Sequence, residues 1–298
     1  MKILFNNNPI AYGFLVVFAL LFHFSATAQL KPVNAIYYFN EYLMNPAMAG
    51  KEKVFKGSIG YRKQFSSFGN APQTQFIAAD YGFDTKSGVG LKIFNDQAGL
   101  LGETAIAASY AYHLMLTEEN RLSFGLSGSY TKQRLNSSNF SGELDDPDVL
   151  DLEQRKGVFD SDFGMAYTSE TFSLQVVFPN MINTLKNDES NGVNYTTLFA
   201  AVSYKLATDL GILEPKLAFR GIKGRNSIID FGANFTLNAS RTNQFNVMAL
   251  YHSSKNATLG ASILFNDRFS FNTSYTIGTG QLNSYSNGDF ELGLGIKL

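Results

Sequence analysis

Residues 269–277, FSFNTSYTI, alternate apolar and polar side chains with a period of two. Successive side chains of a β-strand point to opposite faces, so this stretch predicts a strand with one apolar and one polar face. The same alternation recurs in LSFGLSGS at 122–129, in FNVMALYH at 245–252 and in the closing FELGLGIKL at 290–298. The sequence therefore predicts an all-β protein whose sheet separates two different environments.

Extending the pattern along the chain predicts about fourteen strands. They fall near 54–66, 73–83, 87–95, 102–116, 120–134, 158–168, 171–178, 194–206, 212–220, 227–237, 243–252, 256–264, 268–276 and 289–298. The long connections 135–157, 179–193 and 277–288 alternate with short ones. Outer-membrane barrels have an even number of strands, with short turns on the periplasmic side and long loops outside.

The composition narrows the class of protein further. The 298 residues carry a net charge of −1, only 16% charged residues, 14% aromatic residues and no Cys. A near-neutral chain lacks the positive field that grips nucleic acid. The absence of Cys excludes disulfide scaffolds, thiol catalysis and Cys-ligated zinc.

The first 28 residues predict a cleaved signal peptide. Lys2 supplies the positive charge, residues 11–24 form an apolar core, and the segment ends in Ser25-Ala26-Thr27-Ala28. The apolar core is shorter than the roughly 20 residues that a membrane-spanning helix needs. We expect cleavage before Gln29 and export from the cytoplasm.

The alternating faces fit either a soluble β-sandwich or a membrane barrel. In a sandwich the apolar face forms the core, whereas in a barrel it meets lipid. The strand lengths, the signal peptide, the low charge and a strand ending at the C-terminus favour the barrel. We predict a signal peptide at 1–28, a lead-in segment at 29–53, and a transmembrane antiparallel β-barrel at 54–298.

Two groups of residues invite a metal-binding interpretation. The acidic stretch 143–153 has the oxygen ligands that Ca²⁺ prefers but not the spacing of an EF-hand, so a solvated loop is favoured. His113 and His252 fall on different predicted strands without an acidic signature beside them. We predict no metal site, no bound cofactor and no catalytic residues.

Three acids on the polar face are candidates for the barrel interior: Asp80, Asp162 and Asp230. They either line a pore and tune ion passage or sit in a plugged lumen, hydrogen-bonded across it. Candidate partners in the second case are Arg62, Lys92 and Arg220.

The lead-in segment contains an aromatic stretch, Tyr37 to Gly50, that does not alternate. The Asn45-Pro46 step suits a turn or a helix start, and Gly50 suits a stop. Two interpretations stay open: the segment plugs the base of the barrel, or it forms a periplasmic contact surface.

Two motifs resemble the PorP/SprF family of type IX secretion and gliding proteins. The first is Asn45-Pro46-Ala47-x-Ala49-Gly50. The second, at 61–74, resembles the family's Arg-x-Gln-Trp…Ala-Pro-x-Thr pattern through Arg62, Gln64, Phe65 in the place of Trp, Ala71, Pro72 and Thr74. Later blocks at 88–99, 110–113 and 122–126 are also similar, so the resemblance covers about 30–298.

The resemblance implies a single barrel in the outer membrane without enzymatic activity. It also implies support for secretion or surface anchoring of large adhesin-like cargo carrying a type IX C-terminal sorting domain, together with contacts to periplasmic components of the machine. A barrel of about fourteen strands is too narrow for a folded adhesin to cross, which favours a docking role. The alternative function is a general or solute-specific outer-membrane channel.

Overall fold

The structure, a computed structural model, describes residues 35–65, 71–135, 156–186, 196–222, 226–237, 242–279 and 288–298. The predicted signal peptide and the acidic stretch 143–153 lie outside the described residues. No helix in these ranges is long and apolar enough to cross a membrane.

The described chain is almost entirely β-sheet. The strands are β1 Phe55–Lys63, β2 Gln73–Gly82, β3 Ser87–Ala98, β4 Leu101–Met115, β5 Arg121–Leu135, β6 Val158–Thr168, β7 Phe172–Phe178, β8 Thr196–Tyr204, β9 Leu206–Thr208, β10 Gly211–Ile222, β11 Ile228–Leu237, β12 Gln244–His252, β13 Asn256–Phe265, β14 Phe269–Gly278 and β15 Asp289–Lys297. One short helix, α1, spans Met181–Lys186.

The strands form a closed antiparallel barrel. Each strand pairs with the next in sequence, except that β8 and β9 both pair with β10, and β15 pairs with β1 from Lys56↔Lys297 to Lys63↔Phe290. The short β9 continues β8 along the same edge of β10, so the wall has fourteen positions. The predicted fold class is confirmed, and most predicted strand bounds differ from the observed ones by only a few residues.

The two ends of the barrel differ in the length of their connections. The end where the chain enters β1 and leaves β15 has tight turns, such as 83–86 and 266–268, whereas the opposite end carries the connections 136–157, 179–195 and 279–288. By the usual arrangement of outer-membrane barrels, the first end faces the periplasm and the second faces outside.

The alternation places apolar side chains on the outer surface of the wall and polar ones inside. On β5 the side chain of Leu126 is 57% exposed, whereas its neighbour Ser127 is 1% exposed and donates a hydrogen bond to Asp162. An exposed apolar band with a buried polar interior is the pattern expected of a barrel in lipid.

The lead-in segment lies inside this wall. Its described part consists of three one-turn 3₁₀-helices at Ile36–Tyr38, Glu41–Leu43 and Pro46–Met48, followed by an irregular stretch up to β1. Side chains of these turns pack against inward-facing residues of β2, β4, β6, β7, β8 and β10 in one buried cluster. A segment in contact with strands all around the wall occupies the lumen, so the plug interpretation is correct for residues 35–50.

Candidate functional site

The second and third lead-in turns begin at asparagines because the asparagine side chain replaces a missing helical hydrogen bond. Asn40 Oδ1 accepts from the backbone N–H of Tyr42, and Asn45 Oδ1 accepts from the N–H of Ala47 at 2.9 Å. Proline at the first helical position needs no N–H partner, which suits Pro46 after Asn45. The Asn45-Pro46-Ala47 motif is therefore a capped turn.

The same turn is held against the wall by its side chain. Asn45 is fully buried, and its Nδ2 donates to Gln175 Oε1 and to the carbonyl of Met165, both at 3.2 Å. Because a buried amide without partners is costly, this asparagine fixes the depth of the turn in the lumen.

Glycines of the wall make room for the lead-in. A β-carbon on Gly125 would overlap the backbone of Ala47, and one on Gly164 would overlap the side chain of Asn45. A β-carbon on Gly90 would overlap the ring of Tyr42. The inner face of β3, β5 and β6 is therefore shaped to fit these turns closely.

Gly50 ends the buried stretch in a conformation that favours glycine. Its φ is +61°, and a β-carbon there would overlap Tyr81 O and Gly88. Its N–H donates to Asp80 Oδ2 at 2.9 Å, so the predicted lumen acid Asp80 binds the lead-in backbone.

Asp230 organises the largest buried polar cluster. Its carboxylate accepts from Arg220 Nη2 at 2.6 Å, contacts His252 Nδ1 at 2.6 Å, and accepts from the hydroxyl of Tyr37 at 3.0 Å. Burial raises the pKa of Tyr37, so its hydroxyl stays protonated and donates. The lead-in is thus bound to an ion pair of the wall, in which Asp230 pairs with Arg220, one of the three candidate partners of the lumen acids.

A second cluster joins the start of the described lead-in to the last strand. Glu291 Oε2 accepts from the backbone N–H groups of Ala35 at 3.1 Å and Ile36 at 2.8 Å. Arg62 forms ion pairs with both Glu291 at 3.3 Å and Asp289 at 2.9 Å. Arg62, a residue of the second motif, thus links β1, β15 and the lead-in.

Glu41 forms the third cluster. Its carboxylate lies 3.6 Å from Lys51 Nζ and 3.6 Å from Lys216 Nζ, and it accepts from Gln175 Nε2 at 2.7 Å. Burial alone would raise the pKa of Glu41, but the two lysines and the amide outweigh burial and lower the pKa to about 2. Glu41 is therefore ionised at any physiological pH.

Two further wall side chains bind carbonyls of the lead-in. Lys92 Nζ donates to Leu43 O at 3.3 Å and lies 5.0 Å from the centre of the Tyr42 ring. His113 Nε2 lies 3.0 Å from Ala49 O, while its Nδ1 lies 2.8 Å from Ser123 Oγ. These side chains satisfy the irregular backbone of a buried segment.

The second motif lies at the outer end of β1 and β2. The N–H of Gln64 donates to Pro72 O at 2.9 Å, and the N–H of Phe65 donates to Asp289 Oδ1 at 3.1 Å. Thr74 donates to Asp96, and Ala71 is buried. Apart from Arg62, this motif shapes the outer rim and lies away from the lead-in turns.

The predicted lumen charges lie around the lead-in segment, but Asp162 and Lys92 do not bind the candidate partners. Asp162 accepts from Ser127 and from the N–H of Asn180, and Lys92 binds backbone carbonyls. Sequence reasoning missed Glu41, Gln175 and Glu291 as anchors of the lead-in. Glu291 carried a signal, since it is an acid among glycines on the polar face of the last strand.

The two histidines lie apart, each within a separate hydrogen-bonded group. His252 contacts Asp230 and Thr258, whereas His113 contacts Ser123 and Ala49. Within the described ranges, no three His, Asp or Glu side chains are grouped to hold a metal ion. The described polar side chains of the lumen form hydrogen bonds and ion pairs that hold the lead-in segment in place.

Solved structures with a similar fold are outer-membrane channels. The toluene transporter TodX of Pseudomonas putida aligns over 91% of this chain and 94% of its own, with a TM-score of 0.50 and 7% identity. A deltaS2S3 mutant of TodX, described as a monoaromatic hydrocarbon channel, aligns over 89% of this chain and 94% of its own, with a TM-score of 0.52 and 8% identity. The monoaromatic hydrocarbon channel CymD aligns over 91% of this chain and 94% of its own, with a TM-score of 0.51 and 9% identity.

At such low identity these matches show the barrel fold alone. No curated protein matches the sequence. The profile of one family, however, described as the type IX secretion system membrane protein PorP/SprF, matches residues 26–296. A match over nearly the whole chain, together with the closed barrel and its apolar outer band, places the protein in the outer membrane. The chain belongs to the PorP/SprF family of type IX secretion system membrane proteins.

Proposed function

We propose that this barrel acts in type IX secretion as a docking and anchoring protein that retains a large adhesin-like cargo at the cell surface. The cargo carries the type IX C-terminal sorting domain, and the long connections at the outer end hold it. The barrel has no enzymatic activity in this role. Periplasmic components of the machine contact its other end.

The observation that carries the proposal is the filled lumen. Residues 35–50 occupy the interior and are fixed to the wall by the clusters around Asp230, Glu291 and Glu41. A conduit for protein would require the whole lead-in segment to leave. A docking role uses the barrel as it stands and leaves recognition to surface loops, where binding residues are concentrated in many proteins.

The alternative function is a channel for small solutes. Barrels of this fold include proteins named as hydrocarbon channels and a toluene transporter, so the fold is compatible with this second candidate. A channel would use the same wall with a path past the lead-in segment. The two functions differ in what the outer connections do.

The first test replaces the connection 136–157 by a short Gly-Ser turn. Outer loops are weakly coupled to strand pairing, so the barrel should still fold and migrate in a heat-modifiable way on gels. We expect surface-retained adhesin to fall and small-solute uptake to stay unchanged. Surface proteomics and uptake of a labelled solute measure the two outcomes.

A Gly-Ser insertion in the periplasmic turn 266–268 provides the matched control for a changed connection, and deletion of the gene provides the complete loss. Loss of uptake with normal adhesin retention in the deletion strain would refute anchoring and establish the channel function. If the 136–157 variant loses both adhesin retention and solute uptake, the gel assay shows whether the barrel has failed to fold.

A further inference from the structure

The outward face of β1 to β5 changes abruptly from apolar to polar towards the outer end. One row of paired residues across the strands is apolar: Ile59, Ile77, Ile93, Ile106 and Tyr130. Two residues further out, the paired row is Tyr61, Gln75, Asn95, Thr104 and Lys132. The next is Lys63, Gln73, Gln97, Gly102 and Arg134.

The acids of this region point inward, in the same paired row as Arg62, whereas the charged residues on its outward face are all cations. Asp96 and Glu103, which pair with each other, point inward, where Glu103 accepts from Gln133. The outward positions of both polar rows hold the cations Lys63, Lys132 and Arg134 and no acid. An outward cation faces either lipid or the headgroup layer.

The depth of these residues identifies the headgroup layer. Lys132 is the twelfth residue of β5, counted from Arg121 at the periplasmic end. About 9–11 tilted residues cross the hydrocarbon core. The rings of Tyr130 and Phe159, 4.8 Å apart, lie just below, as aromatic girdles do at the interface. Lys132 and Arg134 therefore lie beside the headgroups of the outer leaflet.

Arg134 is held in place on this surface by neutral oxygen atoms. Its Nη2 donates to Asn95 Oδ1 at 2.8 Å and its Nη1 lies 3.5 Å from Thr104 Oγ1. Its side chain covers Gly102, where a β-carbon would lie 2.9 Å from Nε and 3.0 Å from Cγ. Among the described residues neither Lys132 nor Arg134 has an acidic partner, so their positive charge is available.

On the other side of the barrel, the described outward positions at a similar depth are apolar. Outward positions near the outer ends of β10 to β15 hold Phe219, Ile229, Tyr251, Ile277 and Phe290. Among the described strand positions, the basic surface is thus confined to one sector of the wall.

We propose that Lys132 and Arg134, with Asn95 and Thr104 positioning the guanidinium group, bind the phosphate groups of a phosphorylated glycolipid in the outer leaflet. Guanidinium matches phosphate geometry through paired N–H donors, and the ammonium group of Lys132 adds a point charge on the same face. The acyl chains of the lipid lie against the apolar row below. This site is independent of the proposed cargo function.

The test uses the mature protein in nanodiscs and measures binding of bisphosphorylated lipid A by native mass spectrometry. Each cation near an anionic surface contributes about fivefold in affinity. We expect the double variant Lys132→Gln/Arg134→Gln to bind about twenty-five-fold more weakly, while its heat-modifiable migration stays normal. Lys255→Asn, which removes a cation from the outer rim on the other side, is the matched control and should bind like the wild type.

Three results would overturn the proposal. The first is equal binding by the double variant and the wild type, or equal binding of dephosphorylated lipid A. The second is complete displacement by millimolar inorganic phosphate, which would make free phosphate the ligand. The third is lipid binding that appears only after residues 137–154 are removed, which would assign the basic surface to the acidic connection.

Discussion

Single wall residues decide whether the lead-in segment fits. Sequence alternation indicated that Gly125 faces inward, but it did not reveal that Ala47 needs the space. The Arg220–Asp230 pair was predictable because both residues lie on the polar face of strands whose sequences alternate between apolar and polar residues. The contacts of Asp80 with Gly50 and of Lys92 with Leu43 were not predictable. The lead-in sequence has no alternating pattern, so nothing in it indicates the path of the segment across the lumen.

Gly125→Val tests this fit. The added side chain overlaps the backbone of Ala47, so we expect the lead-in to be displaced, the barrel to lose about 1–3 kcal/mol of stability, and conductance in planar bilayers to rise. Gly128→Val, three residues along the same strand, is the control, since nothing lies within 4 Å of a β-carbon there. Equal conductance of the two variants would show that the lead-in does not seal the lumen.

The strands were the most predictable elements, since period-two alternation fixes both their existence and their faces. The break between β8 and β9 at Lys205 and the helix α1 were not predicted. Pairing along β10 continues in register across the break, so no change in apolar pattern marks it. Helix α1 depends on tertiary contacts, since Asp160 and Asp162 accept from the N–H groups of Ile182 and Asn180.

The depth of the apolar band can be measured at one position on β5 and one on β2. Leu126→Arg places a charge in the hydrocarbon layer and should cost about 2–4 kcal/mol of folding free energy in lipid vesicles. Gln75→Arg, in the first polar row, lies near the interface and should cost about 0–1 kcal/mol. Denaturant unfolding in vesicles gives both values, and equal costs would contradict the boundary between the apolar and polar rows.

Across the whole molecule, the seal depends on charge pairs that acid can weaken. The pKa of Glu41 is lowered from 4.5 to about 2, so its ionised form stabilises the folded state above about pH 4.5, and this contribution is lost as the pH falls towards 2. We expect conductance to rise over that interval as Lys51 and Lys216 lose their common partner.

Glu41→Gln isolates this contribution. The variant keeps a side chain of similar shape but cannot ionise, so its conductance at neutral pH should already exceed that of the wild type. Its further rise between pH 4.5 and 2 should be smaller. Identical pH profiles for the variant and the wild type would assign acid opening to other carboxylates of the lumen.

The contact between Glu291 and the backbone of Ala35 and Ile36 also orders events during assembly. Glu291 lies on β15, the last strand to leave the translocation machinery, whereas Ala35 precedes the first strand. The earliest described residues can therefore be fastened only after the final strand has arrived. The seal is completed only with the last strand, and a barrel that still lacks β15 leaves the start of its plug unattached.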